Sequence, residues 1–346
     1  MTGVQTCALP IWFYLYITTA PSVNSRIFCL GNVTMGTQRV GLTLTTSRTL
    51  DLTPGGFTGS TVLSTGQWYR IEVAAQRHAT TPNAGADSVA YRINGVTEGT
   101  TAATSIAGTW DYSAWGANIN TANTGTTGDW YFDDCAINDD TGGAQNSWPG
   151  AGSIVVGLPD GTGQYNEPTA TGAATNWQAV SENPNDGITT YANCATNSAS
   201  WAASGSRLMC AVQSASSMGI GANDAVTLVS VGAYFAGATS TACAGLPGLR
   251  SGGVDSDVGI ARSIGITTVV HLDDADATSW FTPLYTDPSD AGAWTATKID
   301  SVQVGFRATD TSPNVRLSQL FLMAEYVPSK ALPPMRSSTR FFRQRW

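Results

Sequence analysis

GQWYRIEV (66–73), YRINGV (91–96), GDWYFDDCAIND (128–139) and NSWPG (146–150) follow one another in the first half of the chain. In the first segment Tyr69, Ile71 and Val73 alternate with Arg70 and Glu72. That period-2 pattern is a half-buried strand with one apolar and one wet face. Asn94-Gly95 is the pair that a two-residue hairpin turn demands, because both central residues take positive φ there. Turn formers separate the aromatic segments, and Trp-Pro-Gly closes the series. The stretch therefore reads as antiparallel β-structure.

Working outward, Ile11–Ile17, Arg26–Val33, Arg39–Thr45, Ser88–Thr97 and 110–119 read as further strands, with Leu50–Thr65 rich in turns. DDTGGAQNSWPGAG (139–152) is made of turn formers and marks a boundary. A new block opens at Ser153. It reads as a short strand, an irregular segment over 160–191, and then strands at Arg207–Ser214, Val226–Phe235, Ile264–Leu272, Ser301–Ala308 and Val315–Val327. Only Ala291–Lys298 has a trace of helical period. The expected fold class is all-β, with two antiparallel β-sandwich domains in tandem: 12–140, a linker at 141–152, and 153–328.

The ordered series from 66 to 150 resembles the closing half of a concanavalin-A-like (LamG-type) jelly roll, in the version found in tailed-phage virion and tail-associated proteins. NWQAV (176–180), ENPNDGITTY (182–191) and DPSDAGAWTATKIDSVQVGFRA (287–308) resemble the downstream domain of the same proteins. The resemblance runs from Ile27 to Val327. It implies a structural or appendage role on a virus particle, with other virion proteins or copies of the chain as partners. It also implies contact with host glycans, and it brings no catalytic residues with it. MTGVQTCALPI (1–11) resembles the translation of a sequencing-library adapter. Residues 1–11 are thus expected to be an artefact, with the first strands truncated and a sheet edge left exposed.

Composition bounds the partners. Charged residues are only 12% of the chain, lysine occurs only at Lys298 and Lys330, and glycine is abundant, which suits strands and turns with a neutral polar surface. A net charge of -8 argues against non-specific nucleic-acid binding, which requires a basic face. No apolar run reaches the ~18 residues of a membrane-spanning helix. The end, 329–346, is instead basic, with Lys330, Arg336, Arg340, Arg343 and Arg345 and no acid, and reads as a disordered tail or a docking tail for an acidic partner. No targeting signal is legible, and the expected location is the virion.

The search for chemistry starts with carboxylates. A retaining glycosidase needs two of them about 5 Å apart, which on a strand means acids at i and i+2. None of Glu72, Glu98, Glu167, Glu182 and Glu325 has such a neighbour. Asp255 and Asp257 do, in what reads as a Gly-rich loop. His78 and His271 lack the companions of a triad. The expectation is a protein that is not an enzyme. Its alternative is a secreted bacterial carbohydrate-binding module, and a glycoside hydrolase comes third. Asp134, Asp139 and Asp140 gather at a strand end and turn, where calcium finds oxygen ligands; otherwise they cap the turn. Asp273, Asp274 and Asp276 form a lesser cluster of that kind. Trp110, Tyr112, Trp115 and Asn118 are candidate sugar contacts, or else core. Trp68, Tyr69, Trp130 and Tyr131 read as packing. Cys29 and Cys135 read as buried thiols, and Cys194 and Cys210 as free or paired with each other.

Overall fold

The computed structural model of the chain describes residues 7–31, 38–54, 56–77, 87–102, 106, 112–116, 127–137, 148, 150–183, 186, 189–237, 243–264, 270–271, 282–309 and 315–329. The chain divides into two compact units at Gly152/Ser153. Both are built of antiparallel sheets, so the protein is all-β.

The first unit contains β1 (Cys7–Thr19), β2 (Ser25–Gly31), β3 (Gln38–Leu44), β4 (Leu50–Thr53), β5 (Phe57–Thr58), β6 (Trp68–Arg77), β7 (Ser88–Ile93), β8 (Val96–Ala102), β9 (Tyr112–Trp115) and β10 (Asp129–Ile137). One sheet runs β10-β1-β6-β7-β8 and the other β5-β4-β3-β2-β9. Alternation decides the faces. Ile11, Phe13, Leu15 and Ile17 of β1 join Ile71, Val73 and Val89 from one sheet, and Phe28, Leu42, Leu44 and Leu52 from the other, in one buried core. Phe13 and Phe28 meet across it with centroids 5.8 Å apart. Each such side chain contributes about 1.5–3 kcal/mol by leaving water. Asn94 and Gly95 both have positive φ and close the β7–β8 hairpin as their sequence demands.

Among the described residues the first strand is not the exposed edge expected at the start of this unit. β1 lies inside its sheet, pairing with β6 from Cys7↔Arg77 to Tyr16↔Trp68 and with β10 from Ile11 to Thr19. The adapter-like residues from Cys7 to Ile11 continue that strand, and Ile11 is fully buried.

The second unit contains β11 (Ser153–Gly157), β12 (Pro159–Asn166), β13 (Thr169–Thr171), α1 (Asn176–Ala179), β14 (Tyr191–Cys194), β15 (Arg207–Val212), β16 (Ala225–Gly237), β17 (Cys243–Ser251), β18 (Val254–Asp257), β19 (Arg262–Ile264), β20 (Val270–His271), α2 (Ala296–Ile299), β21 (Gln303–Ala308) and β22 (Val315–Val327). One sheet runs β13-β14-β22-β16-β20, with β11 also on β22. The other runs β12-β15-β21-β17-β18, with β19 also on β17. Phe235 and Phe306 pack across the shared core at 5.1 Å, and a Cβ on Gly245 would collide with the Phe306 ring.

The segment read as irregular holds β12, β13 and α1. Along β12 the exposed residues Asp160, Thr162, Gln164 and Asn166 alternate with half-buried Gly161, Gly163 and Tyr165. An edge strand of polar and glycine residues has no apolar period to announce it. The helical trace at 291–298 resolves into α2, capped by Thr295, whose hydroxyl accepts from Lys298 N.

Two expectations follow. Phe306→Ala removes the ring that fills the second core, and lowers stability by about 3–5 kcal/mol in urea unfolding. Glu98 of β8 supplies a pH-dependent contribution. Its carboxylate accepts from Ser60 N and Thr61 N at 3.0 Å and from Thr61 Oγ1 at 2.6 Å. Burial alone raises Glu98, but these hydrogen bonds outweigh it and hold the group below the ordinary glutamate range. The stabilisation is therefore complete above the unfolded-state value and is lost as pH falls through the folded one. Glu98→Gln flattens the acid limb of a stability-against-pH curve between roughly pH 5 and 3.

Candidate functional site

The outer face of the β10-β1-β6-β7-β8 sheet carries the residues of β1 that alternation excludes from the core, Trp12, Tyr14 and Tyr16. Register lines each up with a partner on both neighbours. Tyr16 is opposite Trp68 on β6 and Tyr131 on β10. The three rings form a row across the strands, with centroids 5.2 Å apart for Tyr16–Trp68 and 6.1 Å for Tyr16–Tyr131. All three are half-buried. The Tyr131 hydroxyl donates to Asp129 Oδ2 at 3.1 Å, and Asp129 is exposed. A row of half-buried rings with a carboxylate at one end offers apolar surface and polar groups together. That is the combination a sugar ring needs, and rigid aromatic side chains provide it at low entropic cost.

The next rows are covered and charged. Tyr14 lies opposite Arg70, and Trp12 opposite Glu72. Between Trp12 and Tyr14 the β10 register slips, and Asp134 there has φ 50°, a bulge that breaks the regular alternation of Asp133 and Asp134. Arg70 Nε stands 3.2 Å from Glu72 Oε2, although the pair is not aligned as a hydrogen bond. Glu72 Oε1 accepts from Gly150 N at 3.1 Å. The Tyr14 hydroxyl donates to Gly152 O at 3.2 Å, and the Arg92 guanidinium lies over the Trp148 ring at 3.8 Å. Trp148 and residues 150–152 thus cover this part of the sheet. The face read as wet is not wet here: Glu72 is 1% exposed, because the connecting segment folds back on it. Burial pushes the Tyr14 phenol up, and Arg70 opposes that while Asp134 and Glu72 add to it.

In the second unit, Asp255 and Asp257 belong to the edge strand β18 rather than to a loop. Both carboxylates are held. Asp257 takes a bidentate pair from Arg307, Nε at 3.0 Å and Nη2 at 2.9 Å, and a bond from Trp201 Nε1 at 2.8 Å. Asp255 accepts from the Tyr165 hydroxyl at 2.7 Å and pairs with Arg250 at 2.5 Å. Arg207 stacks on Tyr165 at 4.2 Å and pairs with Glu167, and Tyr165 stacks on Trp201. Asp255 and Asp257 therefore each have an arginine partner.

The sequence candidates fall in separate places. Trp115 packs on Phe28 at 5.5 Å against the first core. Tyr112 opens edge strand β9, and nothing further is described of it. Trp110, Asn118, Asp139, Asp140, His78, Asp273, Asp274 and Asp276 lie outside the described residues, and of His271 only the strand is described. Asp134 is buried beside Tyr14. Among the described residues no three of His, Cys, Asp and Glu gather to hold a metal ion. Cys135 is exposed rather than buried, since it follows the bulge; Cys29 is buried, and Cys194 and Cys210 are both free and buried. Trp68 and Tyr131 were read from sequence as packing; the β1 register instead sets them beside Tyr16 in a row on the outer face.

No family model matches the chain, and no curated protein matches it. Among solved structures it is similar to an exo-β-1,3-galactanase from Phanerochaete chrysosporium crystallised with galactose, at 8% identity and a TM-score of 0.24, over 86% of this chain and 68% of that one. A likeness that weak carries no argument about fold or function.

Glu72→Ala leaves Arg70 without its anion and Gly150 N without its acceptor. It lowers stability by about 3 kcal/mol in chemical denaturation, whereas Glu72→Gln, which keeps an acceptor, costs about half as much.

Proposed function

We propose that the chain is a non-enzymatic structural or appendage protein of a virus particle, and that it contacts neutral host-surface glycans through the outer sheet of its first unit. The observation that carries the glycan reading is the cross-strand row Trp68–Tyr16–Tyr131, three half-buried rings at 5.2 and 6.1 Å with Asp129 at its end. The virion reading rests on the ordered sequence series and its resemblance to tailed-phage proteins. Two further features favour binding over chemistry. Asp255 and Asp257 are paired with Arg250 and Arg307. Glu72 is buried under Gly150. The partners on this reading are other virion proteins or further copies of the chain.

A glycan array on the whole protein, with calcium and with chelator, tests the reading. Binding of neutral glycans is expected, and loss of one ring in Tyr16→Ala or Trp68→Ala weakens it about tenfold or more. Prolonged incubation with bound glycans releases no reducing sugar. Release would overturn the non-enzymatic reading, and a blank array would leave the scaffold role alone.

A further inference from the structure

We propose that the outer face of the second unit carries a binding site for a carboxylated sugar, built on Arg316. Alternation sets the face. Ala192 and Cys194 of β14 and Val315 and Leu317 of β22 enter the core, so Tyr191, Asn193 and Arg316 are directed away from it. Register then brings them together. Arg316 is opposite Asn193, and Asn193 is opposite Thr169 of edge strand β13. Tyr191 is opposite Thr171. Directly opposed residues of an antiparallel pair share a face. One cross-strand row therefore presents a hydroxyl, an amide and a guanidinium in that order, with a phenol and a second hydroxyl beside it. Thr169 and Thr171 are exposed, and Tyr191, Asn193 and Arg316 are half-buried.

The guanidinium of Arg316 lies over the Tyr191 ring at 4.9 Å. Among the described residues, neither it nor the Asn193 amide has a hydrogen bond or an ion pair. Arg207, Arg250 and Arg307 on the facing sheet each pair with an acid instead. Asp186, close by in sequence to Tyr191, is spent on Thr190, accepting from its N at 3.1 Å and its Oγ1 at 3.0 Å. A half-buried cation without an anion carries a desolvation cost, and a chain of net charge -8 has acids enough to supply one. The ring restrains the guanidinium and leaves its donors unspent, and a guanidinium in that condition takes a carboxylate through two parallel N–H···O bonds. The flanking groups select the source of the carboxylate. Thr169, Thr171 and Asn193 are neutral and both donate and accept, which suits the hydroxyls of a uronate or a sialate better than an acidic side chain of a protein. The site is separate from the aromatic row of the first unit and does not rest on it.

Calorimetric titration of the whole protein with tetragalacturonate, with sialyllactose and with the methyl ester of each tests this. One of the two acids is expected to bind, with its ester weaker by about tenfold or more. Arg316→Gln weakens the acid by about the same factor, and Arg316→Lys, which keeps the charge but loses the fork, weakens it severalfold. Arg48→Gln removes the same charge from the first unit and leaves binding unchanged. In the wild-type chain, labelling of arginines with phenylglyoxal, mapped by mass spectrometry, shows Arg316 protected by the bound acid, so the outcome does not depend on how well a variant folds. Failure of both acids to bind, equal binding of acid and ester, or equal losses in Arg316→Gln and Arg48→Gln would overturn the proposal. So would protection of Arg316 that needs no sugar and rises with protein concentration, which assigns this face to a second copy of the chain. None of these outcomes bears on the neutral-glycan reading, which Tyr16→Ala and Trp68→Ala test.

Discussion

β1 is hydrogen-bonded along both of its edges, and most of the first unit follows from that one constraint. A strand paired on both sides cannot rotate its side chains away from either face. Ile11, Phe13, Leu15 and Ile17 enter the core, and Trp12, Tyr14 and Tyr16 must leave it. Three large aromatic residues are then committed to an outer sheet face, where apolar area is costly to expose. The unit meets this differently along the strand. Trp12 and Tyr14 are buried to 2% and 9% exposure beside Glu72, Arg70, the Asp134 bulge and residues 150–152, whereas Tyr16 stays half-buried between Trp68 and Tyr131. The candidate site is the part of the outer face where the β1 ring is only half-buried.

The second unit solves the same problem with side chains instead of backbone. Its outer face on the β12-β15-β21-β17-β18 sheet is covered by a ladder in which Arg207, Tyr165, Trp201 and Arg307 stack in turn. Each arginine is fixed by an acid, Arg207 by Glu167 and Arg307 by Asp257. Isolated surface ion pairs are worth little. Here the pairs are bidentate or stacked and share partners, so immobilising one side chain helps to immobilise the next. Trp201 lies over Gly248, where a Cβ would collide with its ring, so the ladder needs a floor without side chains as much as it needs its charges.

The strand series that opened the reading was legible because its apolar residues repeat every second position and its turns need particular residues. The Asn94-Gly95 hairpin and the long strands β6, β16 and β22 are of this kind. The failures share a cause as well. Glu72 has the sequence of a solvent-facing residue and became buried because a segment far along the chain folds onto it, and no local pattern encodes that. β12 and β18 were read as irregular because edge strands tolerate polar and glycine residues that central strands do not. Asp134 escaped because a bulge shifts the alternation by one residue without changing composition. The aromatic row was missed: Trp68 and Tyr131 were read as packing, and that they flank Tyr16 on the outer face is a matter of register.

On the proposed reading, the same economy of charge explains why binding and catalysis separate in this protein. General acid–base work needs a carboxyl group within reach of the reacting atoms. Asp255 and Asp257 are committed to arginines, and Glu72 to Arg70 and to the Gly150 amide. Stacking on a sugar needs no proton transfer, only rings held at fixed spacing, and cross-strand register sets that spacing for Tyr16, Trp68 and Tyr131 without a loop or an ion. A site of this kind is as rigid as the sheet beneath it. Its affinity then depends on how many rings a ligand covers, which suits a protein displayed in many copies on one particle, because each weak contact is multiplied by its neighbours.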